Sequence, residues 1–450
     1  PQVSTTSIGP SASPLRNSHL QTLACYREAM RRLCNLYPTC PRVYHAALKV
    51  LSAAARGVLN RQALSQKMTK FPKNSILKKL AYPLYLFFLI VLGYAATITY
   101  RSNELYTYVK SSSNELLTSG VLEYHSVLGY SPRPGSSGEM QFLLPPNIPV
   151  NYDHQMFRVV PGYTAAADSP LLLFLGCSWT HGDATRAEDT FAHLVGTGMN
   201  ARYRNAGYHA YGLSQMLLRA REVIPRDKPD YVLVQYSPWL VSRSMRHFAG
   251  GHFLQRPVPY FVRDQDGHLG LASPAFNGDH GQPIGDYRGY GPSFTDFTSF
   301  TLKAALPFYL HQDLNGLGYQ IRSAFGRIPE AHDGRLDIVS YAYGEIESLC
   351  RINGCRMLIY RLERPSGTPE KPSWNHRFVK EETRYLKGLA GVTYVDSYSA
   401  VLEALKTSDE STYLKEYAHY RGNPPKLVDR HPNPKAHAII ARSIIEALKE

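Results

Sequence analysis

Acidic residues are nearly missing from the first 79 positions, where Glu28 stands alone against 13 Lys and Arg. Residues 80–450 therefore carry only +2 of the chain's +14 net charge. A domain that grips phosphates needs its basic side chains on the folded part, so a nucleic-acid partner is not expected. Charge is absent altogether between Leu80 and Tyr100. The six Cys in 450 residues include no CxxC pair, which excludes a disulfide-framed mini-protein and offers no zinc-ligand spacing. No metal and no cofactor are expected. What is present, 44% hydrophobic and 19% charged residues, excludes a disordered or fibrous chain and suffices for one large domain or two ordinary ones.

The uncharged run LAYPLYLFFLIVLGYAATITY is 21 residues long and follows Lys73, Lys78 and Lys79. That length spans a bilayer, and the basic flank belongs on the cytoplasmic side. Residues 80–100 are thus expected to be one transmembrane helix, with 101–450 outside the cytoplasmic membrane, extracytoplasmic or periplasmic. A buried core helix is the alternative. A cleaved signal peptide is another, since Leu84 to Leu92 has signal length and Gly93-Tyr94-Ala95 offers small residues at cleavage-like spacing. An uncleaved anchor is favoured. Met68 opens MTKFPKNSILKKL directly before the run, so residues 1–67 read as an upstream extension of a basic cytoplasmic tail, 1–79. Within it, 1–20 has a disordered composition and 41–66 suits a basic amphipathic helix on an anionic membrane face.

Residues 101–168 read as a stalk and β-rich lead-in, heavily punctuated by Pro and Gly. From 169 to 450 short apolar runs (171–176, 201–205, 230–236, 356–360, 392–396) alternate with helical periods (187–198, 212–224, 336–352, 374–388, 434–449). Such alternation predicts βαβ units and a mainly parallel sheet covered on both faces, a three-layer α/β fold. The stretch 243–335 breaks the alternation and is read as an insertion after the third strand, with a hairpin at 259–271 and a helix around 296–312. Insertions of that size are usually functional. Beyond the uncharged run, Cys350 and Cys355 form the only close pair, and an oxidising compartment allows them to bond. Cys177 reads as a small buried residue.

In FLGCSWTHGDA (174–184) a strand passes through Gly176, Cys177 and Ser178 into a helix, leaving the Ser178 hydroxyl exposed at the top of the sheet near backbone N–H groups. A helix N-cap is the plain alternative. Near the C-terminus, Asp429 and His431 stand two apart in VDRHPNP before the last helix. A serine nucleophile needs a base, and the base needs an orienting carboxylate, so these three residues point to acyl chemistry. His431 otherwise reads as a loop histidine, and His437 as a histidine on the helix surface.

The blocks GCSWTHG, NAGYHAYGLSQM (205–216) and DRHPNPKAH (429–437) together resemble the SGNH, or GDSL-like, serine hydrolase superfamily over residues 120–450. The resemblance implies a flavodoxin-like sheet of five parallel strands, Ser178 as nucleophile and Asp429 and His431 as its triad partners. It implies oxyanion donors at Ser178 and at Ala210, which stands where the family has Gly. The family's third block, Gly-x-Asn-Asp, reads Ser237-Pro238-Trp239-Leu240, so the Asn donor is absent and the indole N–H of Trp239 is the substitute considered. The family more often spaces Asp and His by three. The expected activity is a membrane-anchored serine esterase or O-acyltransferase acting on acyl, foremost acetyl, esters of carbohydrate, with polysaccharide machinery as a further partner. The alternative is a catalytically inactive envelope protein that binds glycan or a partner.

Overall fold

A computed structural model describes residues 76–111, 121–140, 142, 146–249, 256–274, 293–326, 328, 331–363, 367–368, 371–372, 376–407 and 409–450. The expectations for residues 1–67, and for much of the insertion, lie outside the described residues. The chain divides into two units, Pro1–Tyr100 and Arg101–Glu450.

In the first unit the apolar run is helical: α1 spans Ile76–Ser111, beginning in this unit and continuing past its end. Leu84, Phe87, Phe88, Ile90 and Leu92 are exposed along it. Among the described residues, no helix is long and apolar enough to cross a membrane.

The second unit is built on five parallel strands: β1 (Leu171–Leu175), β2 (Arg202–Asn205), β3 (Tyr231–Tyr236), β4 (Arg356–Arg361) and β5 (Val392–Val395). They lie in the order β5-β4-β3-β1-β2, the flavodoxin-like order. Every residue of β1 is buried, as a strand covered on both faces requires, whereas the edge strands β2 and β5 keep exposed positions.

Right-handed crossovers place the helices. The step from β1 to β2 runs one way along the sheet and carries α3 (Phe191–Gly198), after the one-turn helix α2 (Ser178–His181). The later steps run the other way and carry α4 (Leu213–Asp227), α5 (Pro238–Ser244), α6 (Arg335–Asn353) and α7 (His376–Lys387) on the opposite face. There α4 packs on α6 and α6 on α7. After β5, α8 (Ser397–Leu405) and the C-terminal α9 (Pro434–Lys449) return to the first face, where α9 packs on α3 and α8. The three-layer α/β class and the five expected strands are all observed.

Two hairpins precede the sheet, Leu122–His125 with Gly129–Pro132 and Ser137–Met140 with Ile148–Asn151. The hairpin expected in the insertion pairs Tyr260–Arg263 with Leu269–Ala272. The helix expected around 296–312 is longer, running through Phe294–Phe300, Thr301–Ala305 and Leu306–Ala324. Cys350 and Cys355 are free thiols at the end of α6, where the Cys355 N–H donates to the Cys350 carbonyl.

Candidate active site

The chain reverses its direction of travel along the sheet between β1 and β3, and the crevice beyond their carboxyl ends is where an open α/β sheet receives a ligand. Ser178 begins α2 immediately after β1 there. Its turn is held from the neighbouring strand. Gln235, fully buried in β3, accepts from the Cys177 N–H (3.1 Å) and the Thr180 hydroxyl (2.7 Å), and donates to Ser237 Oγ (2.8 Å). A Cβ at Gly176 would lie 1.8 Å from Thr180 Oγ1 and 2.6 Å from Gln235 Oε1, so α2 and β3 together exclude any side chain at that position.

The three residues expected to act together are brought together. Ser178 Oγ lies 2.8 Å from His431 Nε2, and Asp429 Oδ1 lies 2.6 Å from His431 Nδ1. Asp429 Oδ1 also accepts the backbone N–H of His431 at 2.7 Å, which the two-residue spacing makes possible. In the neutral ring Nδ1–H donates to the carboxylate and Nε2 accepts from the serine hydroxyl. The loop is fastened from several sides. The Thr185 hydroxyl and His419 Nε2 donate to the Pro432 carbonyl, and Asn433 caps α9 through the Ala436 N–H. Burial pushes the His431 pKa down, but the charge and hydrogen bond of Asp429, then the charge of Asp183, outweigh it and hold the ring at about 9. The Asp429 carboxyl, despite burial, is held below its ordinary value by His431.

Two expectations about exposure are corrected. Ser178 is buried, 4% exposed, because the His431 ring lies against its hydroxyl. His437 is fully buried rather than on the helix surface: α9 turns that face onto α3, where the ring nitrogen accepts the Phe191 N–H at 3.1 Å.

The two remaining oxyanion candidates flank the serine turn differently. Ala210 has φ 53°, the left-handed conformation that suits the Gly of the family pattern. Its loop is packed on α2: Asn205 Nδ2 donates to the Thr180 carbonyl, and a Cβ on Gly207 would come 2.6 Å from His181 N and 3.0 Å from Cys177 O. Trp239 turns its indole N–H to Cys177 Sγ at 3.5 Å, a weak acceptor beside Ser178, and its ring lies 5.2 Å from that of Trp179.

Sequence reasoning missed a buried polar unit below the serine. Asp183 accepts from His181 Nδ1 through Oδ1 and from His209 Nδ1 through Oδ2, both at 2.7 Å. His181 Nε2 lies 2.8 Å from the Tyr152 hydroxyl, and burial first among several causes drops the His181 pKa to about 3, so its ring is neutral. Burial alone would raise the Asp183 carboxyl; the charge of His209 and the two histidine hydrogen bonds hold it well below its usual value. Arg158, also buried, donates to the carbonyls of His181, Gly182 and Thr185. The block THGD contained the one available signal, a His and an Asp two apart directly after the nucleophile turn. These atoms are committed to one another in hydrogen bonds. A second His and Asp cluster, Asp264, Asp266 and His268, is an exposed hairpin turn closed by its own hydrogen bonds.

No family model and no curated protein matches the sequence. Solved structures do resemble the fold. A protein named as lipolytic and of the G-D-S-L family from Desulfitobacterium hafniense is 11% identical, covering 62% of this chain and 99% of its own, with a TM-score of 0.29. An acetylxylan esterase from Geobacillus stearothermophilus is 14% identical over 63% of this chain and 95% of its own, at 0.32. An alpha/beta hydrolase enzyme from the metagenome of Lake Arreo, Spain, is 12% identical over 64% and 97%, at 0.34. Alignments this loose say nothing about chemistry, which has to be read from the atoms of the site.

Proposed function

We propose that the chain is a serine esterase or O-acyltransferase of the SGNH type, with Ser178, His431 and Asp429 as its triad. The observation that carries the reading is the unbroken hydrogen-bond line Ser178 Oγ, His431 Nε2, His431 Nδ1, Asp429 Oδ1 at the topological switch point of the sheet. A line of this kind moves one proton. As Ser178 Oγ attacks the acyl carbon, its proton passes to His431 Nε2; when the ester C–O bond breaks, that proton goes to the leaving alkoxide. Water or a second hydroxyl then attacks the acyl-serine by the same route, releasing acid in one case and a new ester in the other.

The backbone N–H groups of Ser178 and Ala210 serve as oxyanion donors in this reading. Trp239 joins them by leaving its weak thiol acceptor for the stronger oxyanion. A missing donor typically costs about 10²–10³ in rate, so such a substitute is worth keeping. The Trp179 and Trp239 pair provides an apolar wall beside the serine, suited to a sugar ring carrying the acyl group. Anchoring in the cytoplasmic membrane by residues 80–100, with the acyl chemistry outside, is supported by the 21 uncharged residues, their basic flank and the exposed apolar side chains of α1. A glycan-binding protein without activity is the lesser reading, since a mere binding site does not need a base seated on a buried serine.

The test uses the full chain in detergent, labelled with a fluorophosphonate and assayed on 4-nitrophenyl acetate beside Ser178→Ala. Labelling and acetate release that vanish in the variant are expected. Equal turnover by Ser178→Ala overturns the assignment.

A further inference from the structure

The triad line uses one carboxylate, but His431 faces two. Asp429 meets Nδ1, and Asp183 Oδ2 stands 3.8 Å from Nε2, the nitrogen that also holds Ser178 Oγ. The two carboxylates come from opposite ends of the domain, one after α2 and one before α9, and both side chains are 6% exposed. Asp183 is fixed by two imidazoles, one on each oxygen, and His181 is in turn held by Tyr152. Its direction toward His431 is therefore set from behind, by residues that take no part in the proton path.

We propose, resting on the esterase reading, that Asp183 is a second positioning carboxylate for His431, acting on the reacting nitrogen, and that His181 and His209 exist to hold it ionised and aimed there. When the Ser178 O–H bond breaks and the Nε2–H bond forms, the new N–H lies between the departing oxygen and Asp183 Oδ2. Asp183 attracts the imidazolium without taking its proton. That proton remains on Nε2 until the leaving alkoxide accepts it, and Asp183 stays ionised throughout. Its charge also biases the resting ring toward the protonated form, so the site trades readiness at neutral pH for a stronger base at alkaline pH.

The groups facing this pair come from every element around it. His431 faces Asp429, Asp183, the Cys177 thiol, His419 and His437; Asp183 faces His181, His209, His431 and His437; Asp429 also faces His419 and Arg421. Among these, Asp183 is the only carboxylate on the Nε2 side.

The test is the pH profile of fluorophosphonate labelling for the full chain and for Asp183→Asn. An opposite charge this close typically shifts a pKa by about 1–3 units. The acidic limb of the profile is expected to move down by about one pH unit or more in Asp183→Asn, and His209→Gln, which loosens Asp183, to move it part of the way. A limb that stays in place while labelling still depends on Ser178 overturns the inference and leaves the esterase reading intact. Labelling that never depended on Ser178 overturns the esterase reading instead. Should Asp183→Asn not fold, the His431 titration is read by NMR in Asp429→Asn, where Asp183 is the remaining carboxylate. A midpoint that falls further when His209→Gln is added to Asp429→Asn supports the role of Asp183, and one that stays in place refutes that role.

Discussion

Asp429→Asn is the substitution whose outcome the site geometry specifies most closely. In many triads the introduced amide turns its NH₂ toward the histidine and enforces the wrong tautomer, a loss of about 10⁴ in rate. Here the oxygen that receives His431 Nδ1–H also receives the His431 backbone N–H, at 2.7 Å. The backbone donor is fixed, so the amide introduced by Asp429→Asn must present its oxygen to it and thereby keeps the acceptor for Nδ1–H. Only the charge is lost. The His431 pKa, held at about 9, then falls: losing an opposite charge this close typically shifts a pKa by about 1–3 units, and burial pulls in the same direction. In the alkaline limit the variant should lose about 10²-fold in kcat/KM. At pH 7 the gap should narrow, because only about one wild-type ring in 100 is then in the base form, whereas far more of the variant's rings are. Asp429→Ala removes the acceptor for both donors and should approach the full 10⁴-fold loss. The assay is kcat/KM for 4-nitrophenyl acetate from pH 6 to 10 in all three proteins. Asn as damaging as Ala at every pH, or an acidic limb that does not move, would refute the reasoning.

Two further outcomes follow from the scaffold. Gln235→Leu strands the buried Cys177 N–H, while Thr180 keeps the Tyr360 hydroxyl and Ser237 keeps the Leu362 carbonyl. Denaturant unfolding should therefore show a loss of about 1–3 kcal/mol together with slowed fluorophosphonate labelling, and unchanged labelling would separate Gln235 from the serine turn. Ala210→Gly relieves a left-handed alanine that costs about 1–2 kcal/mol, offset in part by the larger freedom of unfolded Gly. A small rise in Tm with retained turnover is expected; a fall in Tm would show that the alanine methyl contributes more by packing than its conformation costs.

The frame of the protein was legible because its signals are local. Each of the five strands is a short apolar run between helical periods, and each was found within two residues of its reading. Ser178, Asp429 and His431 were legible because a strand end and a pre-helix loop mark them. The expectation of an exposed Ser178 failed because it considered only the turn itself, whereas the covering ring comes from a loop 253 residues away. His437 was misplaced for a similar reason, since a lone histidine on an amphipathic helix does not announce which side faces α3. The Asp183 unit was invisible as a unit: its members stand at 152, 181, 183 and 209, and only the fold of β1 against β2, with the lead-in hairpin laid beside them, gathers them. Gln235 was passed over inside an apolar strand, where a single amide looks like an imperfection until its polar neighbours are placed around it.

Residues 101–168 were read as a stalk and β-rich lead-in, outside the hydrolase domain; in the structure Tyr130 donates to the His209 carbonyl, Gln215 to the Leu128 carbonyl, and Tyr152 and Arg158 reach directly under the serine turn. The sheet alone is therefore not the smallest working piece. An expression boundary drawn at residue 169, where the strand and helix alternation starts, would cut away the floor beneath Ser178 and take the Arg158 guanidinium from the carbonyls of His181, Gly182 and Thr185. The inheritable module begins no later than Val121, and anyone shortening, fusing or transplanting it has to carry those residues along.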